Sequence, residues 1–383
     1  MAHILEEFAK LCNVSPGKPK LVEHFFPIPF DKYIVLSCST EEESMSYPYW
    51  QDVLDLIQLP LELNNFRVVQ IIEGKSPPIP EADVSLGVLT HQQKAYVLSH
   101  ASAFVGSSGL LAHMASAYNV KTVSLHAKYF IENNKPYWST EDISLEGRDK
   151  QKPTFEKNDP TLSIKKIKPE EIATALLKIL NINQSIIHKS LHIGEHYPVN
   201  VVEVNPNFFN PNIIGQDQPV NLRLDWTNDV KHASYWVQTR KVNIFANKEL
   251  NLDFIKNFKK NINLINLFIN ENTQHEYIKA IESTGVKFKL YFKDESKISD
   301  IRIKFIDWII NQYQLPQKKD LDNIDQICDN SHYKSSKIIL SNNQIYASKA
   351  AMISNIPQSE DAQKIIDCDE LWGDMQHLYI FNK

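Results

Sequence analysis

Glycine is scarce, with 10 in 383 residues, where an average usage of about 7% would give more than twice as many. Asn, Lys and Ile are abundant in its place, which reads as a bias of the coding sequence rather than a property of the fold. Cysteine is nearly absent: Cys12, Cys38, Cys328 and Cys368 are scattered and match no zinc or redox spacing, as expected of free thiols in a reducing compartment. Long apolar runs are missing too. None approaches the roughly 20 residues that span a bilayer, and the N-terminal MAHILEEFAKLC is acidic and amphipathic, without a signal-peptide pattern. The expectation is a cytoplasmic protein with no transmembrane segment. An excess of positive charge is also lacking. A net charge of −5 and a pI near 6.2 give no global field for nucleic acid, although a local patch would suffice. No internal repeat or low-complexity segment is present. With 43% hydrophobic and 23% charged residues the chain is globular, and 383 residues are enough for two cores.

What is there is an alternation of β and α signals. KYIVLSC (32–38) is an apolar β run, followed by a polar loop and an amphipathic segment, Trp50 to Leu59. RVVQII (67–72) is a second strand closed by Glu73-Gly74-Lys75, and a Pro-rich loop follows at 76–80. Thr90 reads as the N-cap of a helix over 89–101. A strand at 103–106, a helix at 110–118 and a strand at 121–125 follow, then a long loop (127–163). Pro169 and two acids open a helix to about Leu180. Such alternation implies a parallel sheet covered on both faces. Strand-like runs resume at 201–204, 221–224, 242–245, 265–269 and 287–292, a second and less clearly written α/β unit. KIILS, Asn342-Asn343 and QIYAS read as a hairpin. The expected domains are 1–185, a linker at 186–200, 201–330, and a C-terminal hairpin with docked tail at 331–383.

The chemistry concentrates in Phe104-Val105-Gly106-Ser107-Ser108-Gly109-Leu110-Leu111-Ala112-His113. A small-residue turn between strand and helix lets backbone N–H groups and the positive helix end meet a phosphate. Ser107 and Ser108 add hydroxyls, and His113, one turn into the helix, would supply a hydrogen bond or positive charge. Ligands of open α/β sheets bind at such carboxyl ends of strands. The same residues also read as a tight β–α turn with an N-cap serine and a packed histidine.

From about residue 30 to 180 the chain resembles the donor-binding domain of the heptosyltransferase-type glycosyltransferases (family 9, GT-B fold). The resemblance rests on KYIVLSCS, Trp50, RVVQIIEG, Thr90, FVGSSGLLAHMASA and VKTVSL in that order, then Lys135-Pro136-Tyr137-Trp138 and KPEEIATALLKIL. It departs from the family where Ser108 replaces an acid and Leu110 a glycine, and the acidic TEEESMSYPYW loop lacks the family's lysine. The resemblance implies two facing Rossmann-like domains and metal-independent transfer from a nucleoside diphosphate sugar. That sugar is a co-substrate, and no bound cofactor is expected. The acceptor is left open between a glycan, a protein and a modified nucleic-acid base. The implied donor contacts are Gly74, Thr90, Gly106, Ser107, Ser108, Gly109 and Leu110, with His113 assisting the leaving group.

An inverting transfer needs a base for the acceptor hydroxyl. Asp225, ending the NLRLD run, is the first candidate, with Glu203 and Glu43 behind it; a solvent-facing or capping aspartate is the plainer reading. Asp367-Cys368-Asp369 matches a DxD metal motif only formally, and no metal site is expected. His188, His192 and His196 recur every four residues, as on one face of a helix, without supporting metal ligands. Tyr47-Pro48-Tyr49-Trp50, Trp226 and Trp236 would stack on a sugar or base, or pack the core. Lys165–Lys168 and Lys256–Lys260 read as solvated faces or as an acceptor patch. Two alternatives to the enzyme stand: a catalytically silent nucleotide- or glycan-binding module, and a structural component.

Overall fold

The computed structural model describes residues 2–38, 45–74, 77–127, 129–147, 163–215, 218–359 and 362–383. It divides into two compact units, Met1–His188 and Lys189–Lys383. Glu43 and part of the acidic loop lie outside the described residues.

In the first unit a short helix α1 (Ile4–Leu11) precedes β1 (Tyr33–Ser37), α2 (Trp50–Leu63), β2 (Arg67–Ile71), β3 (Val84–Leu86), α3 (His91–Ser99), β4 (Ala103–Ser107), α4 (Leu110–Ala117), β5 (Lys121–His126), α5 (Ile131–Asn134), β6 (Asp142–Glu146) and α6 (Pro169–Ile179). The strands are all parallel, in the order β3-β2-β1-β4-β5-β6. β1 and β4 are buried at every residue, as strands covered on both faces must be. Tyr33 and Val35 meet Ala95, Leu98, Leu111 and Ala112 of α3 and α4 in one core cluster, while α2 and α6 pack against each other. The winding reverses between β1 and β4, where an open sheet leaves a crevice at its carboxyl edge. β6 falls inside the 127–163 segment that reads as a loop, and β3 in the unassigned stretch between the Pro-rich loop and the 89–101 helix, because three residues, or five without a buried one, carry little apolar signal.

The second unit runs β7 (Lys189–Ile193), β8 (Val201–Val204), β9 (Val220–Arg223), α7 (Val230–Thr239), β10 (Val242–Ala246), α8 (Leu252–Asn257), β11 (Ile262–Phe268), α9 (His275–Thr284), β12 (Phe288–Phe292), α10 (Ile298–Lys304), β13 (Ile310–Gln312), β14 (Ser331–Ser335), β15 (Lys337–Ser341), β16 (Gln344–Tyr346), α11 (Lys349–Ile353), β17 (Gln363–Lys364), α12 (Asp369–Trp372) and β18 (Leu378–Asn382). Its large sheet is ordered β13-β12-β11-β10-β9-β8-β15-β16, parallel except for β16. It is a parallel α/β sheet like the first, but from β8 to β13 each strand lies beside its predecessor and the winding never reverses. Right-handed crossovers then place α7 to α10 on one face. There Trp236, Ile255, Ile278 and Ile301 share a core with Leu222, Ile244 and Ile265.

Two expectations are corrected here. The C-terminal hairpin is not an appendage: β15 pairs with β8 inside the large sheet, because Leu340 completes the apolar core. The segment around the three histidines is not a helix. His192 lies in β7, which pairs with β18, and its Nε2 meets the Met375 carbonyl at 3.3 Å.

Some of the asparagines also have a structural part. Among the described residues all eight non-glycine positions with positive φ are asparagines, and Asn13, Asn65, Asn119, Asn181 and Asn355 each follow a helix end. Asn tolerates the left-handed conformation that closes a helix, a place usually taken by Gly.

Candidate functional site

A cavity of about 810 Å3 opens at the carboxyl edge of the first sheet, beside the reversal between β1 and β4. Ser37 ends β1, Glu73 and Gly74 follow β2, and Ser107 ends β4; Ser108, Gly109 and Leu110 complete the wall at the start of α4. Gly74 turns the chain with a φ of +63°, which favours glycine. Across the cavity Lys94 of α3 is paired with Glu73 at 2.7 Å.

The start of α4 is open. Gly109 caps it without a side-chain bond, and the first N–H groups of any helix lack intrahelical acceptors. Ser107 is 4% exposed and its Oγ has no hydrogen-bond partner among the described residues. A buried hydroxyl is rarely left so. An unpaired donor beside a helix N-terminus, lining a cavity at the switch point, is an arrangement suited to an anion.

Not every residue of the motif reaches the cavity. Gly106 lies within β4, paired with Ser37, and a β-carbon there would come 2.8 Å from the Ser37 carbonyl oxygen. Its small size serves strand packing. Ser108 is already committed: its N–H donates to the Leu125 carbonyl at 2.9 Å, and its hydroxyl donates to the Asn134 carbonyl at 3.0 Å. Asn134 Nδ2 donates back to that hydroxyl at 3.1 Å. Ser108 therefore fixes the turn and has no backbone donor left for a phosphate. Thr90 caps α3, its hydroxyl accepting from Gln93 N–H at 3.2 Å within a capping box. His113 points to His3, with ring centroids 6.4 Å apart, rather than lining the cavity. Burial lowers its pKa below 6.5, His3 adds to the effect, and a bond with Asn134 opposes it. That direction favours the neutral ring and works against the expected positive charge.

Asp225 belongs to the second unit, two residues beyond the end of β9. Both its oxygens accept from Arg223, Nε to Oδ1 at 2.8 Å and Nη2 to Oδ2 at 2.7 Å. Arg223 Nη1 also donates to Glu203 at 2.7 Å, and Lys337 joins Glu203 (3.7 Å) to Asp374 (2.6 Å). Burial opposes the charge of Arg223, yet Glu203 and Asp225 outweigh it and hold the guanidinium protonated well above its usual range. Asp225 is thus an ion-pair partner, and a base role requires one oxygen to leave Arg223. Glu203 is buried in the same network.

The aromatic candidates divide. Tyr47, Tyr49, Trp50 and Trp236 are core residues, and Trp50 Nε1 donates to the Cys38 carbonyl at 3.2 Å. Trp226 is half-buried under the Arg223 guanidinium, 4.3 Å from its ring. Asp367 accepts from Lys318 (2.6 Å) and Trp372 Nε1 (2.8 Å), so the DxD-like triplet is a structural pair. Among the described residues no three His, Cys, Asp or Glu side chains form a metal-binding group, and no helix is long and apolar enough to cross a membrane. Sequence reasoning missed Lys94, Asn134 and His3, none of which stands near the motif in the chain.

No protein-family model matches the chain, and no curated protein does. Solved structures are similar to part of it. The family 9 glycosyltransferase of Veillonella parvula is 13% identical, with 39% of this chain and 46% of that one covered, at a TM-score of 0.35. Escherichia coli ADP-heptose LPS heptosyltransferase II is 15% identical, with 46% and 51% covered, at 0.32. An E. coli heptosyltransferase with ADP is 14% identical, with 45% and 54% covered, at 0.33. The resemblance read from the sequence thus meets the same family among solved structures. The chain spans about half the length of each. Likenesses of this size bear no weight on the chemistry, which rests on the geometry above.

Proposed function

We propose that the first unit binds a nucleoside diphosphate sugar and that the protein transfers the sugar to an acceptor hydroxyl without a metal ion. The observation that carries this reading is the unpartnered Ser107 hydroxyl beside the open start of α4. The diphosphate would lie on the N–H groups of Gly109, Leu110 and Leu111, with Ser107 donating to an oxygen. Backbone amides and a hydroxyl aimed at the departing diphosphate stabilise its developing charge, which is usually the largest catalytic contribution. At about 810 Å3 the cavity has room for a ligand of that size. The glycosyl acceptor is a glycan, a protein or a modified nucleic-acid base.

Titration calorimetry with UDP, ADP, GDP and CDP, followed by turnover assays with the matching sugar nucleotides, tests the reading. Binding by none of the four would sink it. The capture of both Asp225 oxygens by Arg223 favours a second reading, a binding module without turnover. Binding of a nucleotide with no sugar transfer or donor hydrolysis would select it.

A further inference from the structure

Helix α1 contributes one buried residue, Ala9, to the first unit, and the one-turn α5 contributes none. Apolar burial therefore holds neither firmly, and an isolated helix of this length is marginal in water. Hydrogen bonds hold them instead. The His3 side chain caps α1, its Nδ1 accepting from Leu5 N–H at 3.2 Å, while the Glu6 carboxylate accepts from His3 N–H at 3.3 Å. With Nδ1 as acceptor the proton sits on Nε2, which donates to the Lys135 carbonyl at 2.9 Å. Asn133 Nδ2 donates to the Ala2 carbonyl at 2.7 Å, and Tyr137 OH donates to Glu6 at 3.2 Å. Between these anchors lies Asn134, whose carbonyl and side chain both hold the Ser108 hydroxyl. Ser108 directly precedes the Gly109 cap of α4.

We propose that α1 is a brace for the phosphate turn, and that His3 is the positioning residue that joins it to the 133–137 segment. His3 fixes Lys135, Asn134 fixes Ser108, and the N–H groups of Gly109 to Leu111 are thereby held ready for the diphosphate. This last step rests on the function proposed above; the mechanical coupling does not. Preorganised donors bind more tightly because less ordering is left to the moment of binding.

The test separates capping from bracing. His3→Asn keeps a good N-cap acceptor for α1, but its shorter side chain cannot reach Lys135. His3→Gln regains that reach. Hydrogen exchange of the unliganded protein should show amides 5–11 unchanged in His3→Asn, with exchange of the hydrogen-bonded amides of Ser108, His113, Asn133 and Lys135 about tenfold faster. The dissociation constant for the best-bound of UDP, ADP, GDP and CDP should rise about fivefold to tenfold, and His3→Gln should recover part of both. Unchanged exchange at Ser108 and His113 in His3→Asn overturns the brace, as does loss of protection confined to α1. If wild type binds none of the four nucleotides while the exchange response appears, the brace stands and the functional reading falls.

Discussion

Replacing Ser107 with alanine should move stability and affinity in opposite directions. Ser107 is 4% exposed and its hydroxyl is unpartnered among the described residues, and leaving such a group unsatisfied costs about 1–3 kcal/mol. Alanine removes that cost and one small atom, so the unliganded protein should gain about 1 kcal/mol, a rise of roughly 2–4 °C in Tm for a unit of this size. In the complex the same hydroxyl would donate to a phosphate oxygen. Losing one charge-assisted bond costs about 1.5–3 kcal/mol, a tenfold to hundredfold rise in Kd. Differential scanning fluorimetry without ligand and calorimetry with the preferred nucleoside diphosphate read the two effects separately. A Ser107→Ala protein that is less stable when empty, or that binds the nucleotide as tightly as wild type, refutes the reasoning.

Three further outcomes are expected. Gly106→Ala should cost about 1–3 kcal/mol in urea unfolding, since its β-carbon would sit 2.8 Å from the Ser37 carbonyl oxygen and 2.9 Å from Phe104 Cζ. Arg223→Met leaves Glu203 and Asp225 without their shared guanidinium, and should cost about 3–5 kcal/mol; adding Glu203→Gln should recover part of it in a double-mutant cycle. His377 titrates near 4 instead of 6.5, because burial disfavours the imidazolium and Lys337 adds repulsion. The unfolded chain then binds the extra proton between those values, so stability is full above 6.5 and falls as pH drops toward 4. His377→Gln should flatten that fall when urea midpoints are compared at about pH 5 and about pH 7.

Much of this architecture follows from local physics and was legible in the chain. Four consecutive apolar residues in YIVLS require a strand covered on both faces, and Thr90 with Gln93 makes a capping box whatever surrounds it. Asn342 and Asn343, both left-handed, turn the KIILS–QIYAS hairpin as their sequence foretells. The Gly/Ser turn after β4 likewise announced the wall of the cavity. Asparagine's part in closing helices was visible only as composition, because its meaning depends on where each helix stops.

Tertiary structure decided the rest, because it turns on partners distant in sequence. The reversal at β1 and β4, and its absence from β8 to β13, are choices of strand order that no single strand encodes. Ser108 looked like a phosphate donor until Asn134, 26 residues away, took its hydroxyl, and Leu125 took its N–H. Asp225 looked like a free carboxylate at a strand end. Yet it lies in the turn just past β9, where both its oxygens are taken by Arg223, two residues earlier, whose guanidinium also reaches Glu203 on β8. Local sequence determines which element a residue joins; which of its polar atoms stay free for a ligand is determined by what the fold brings against them.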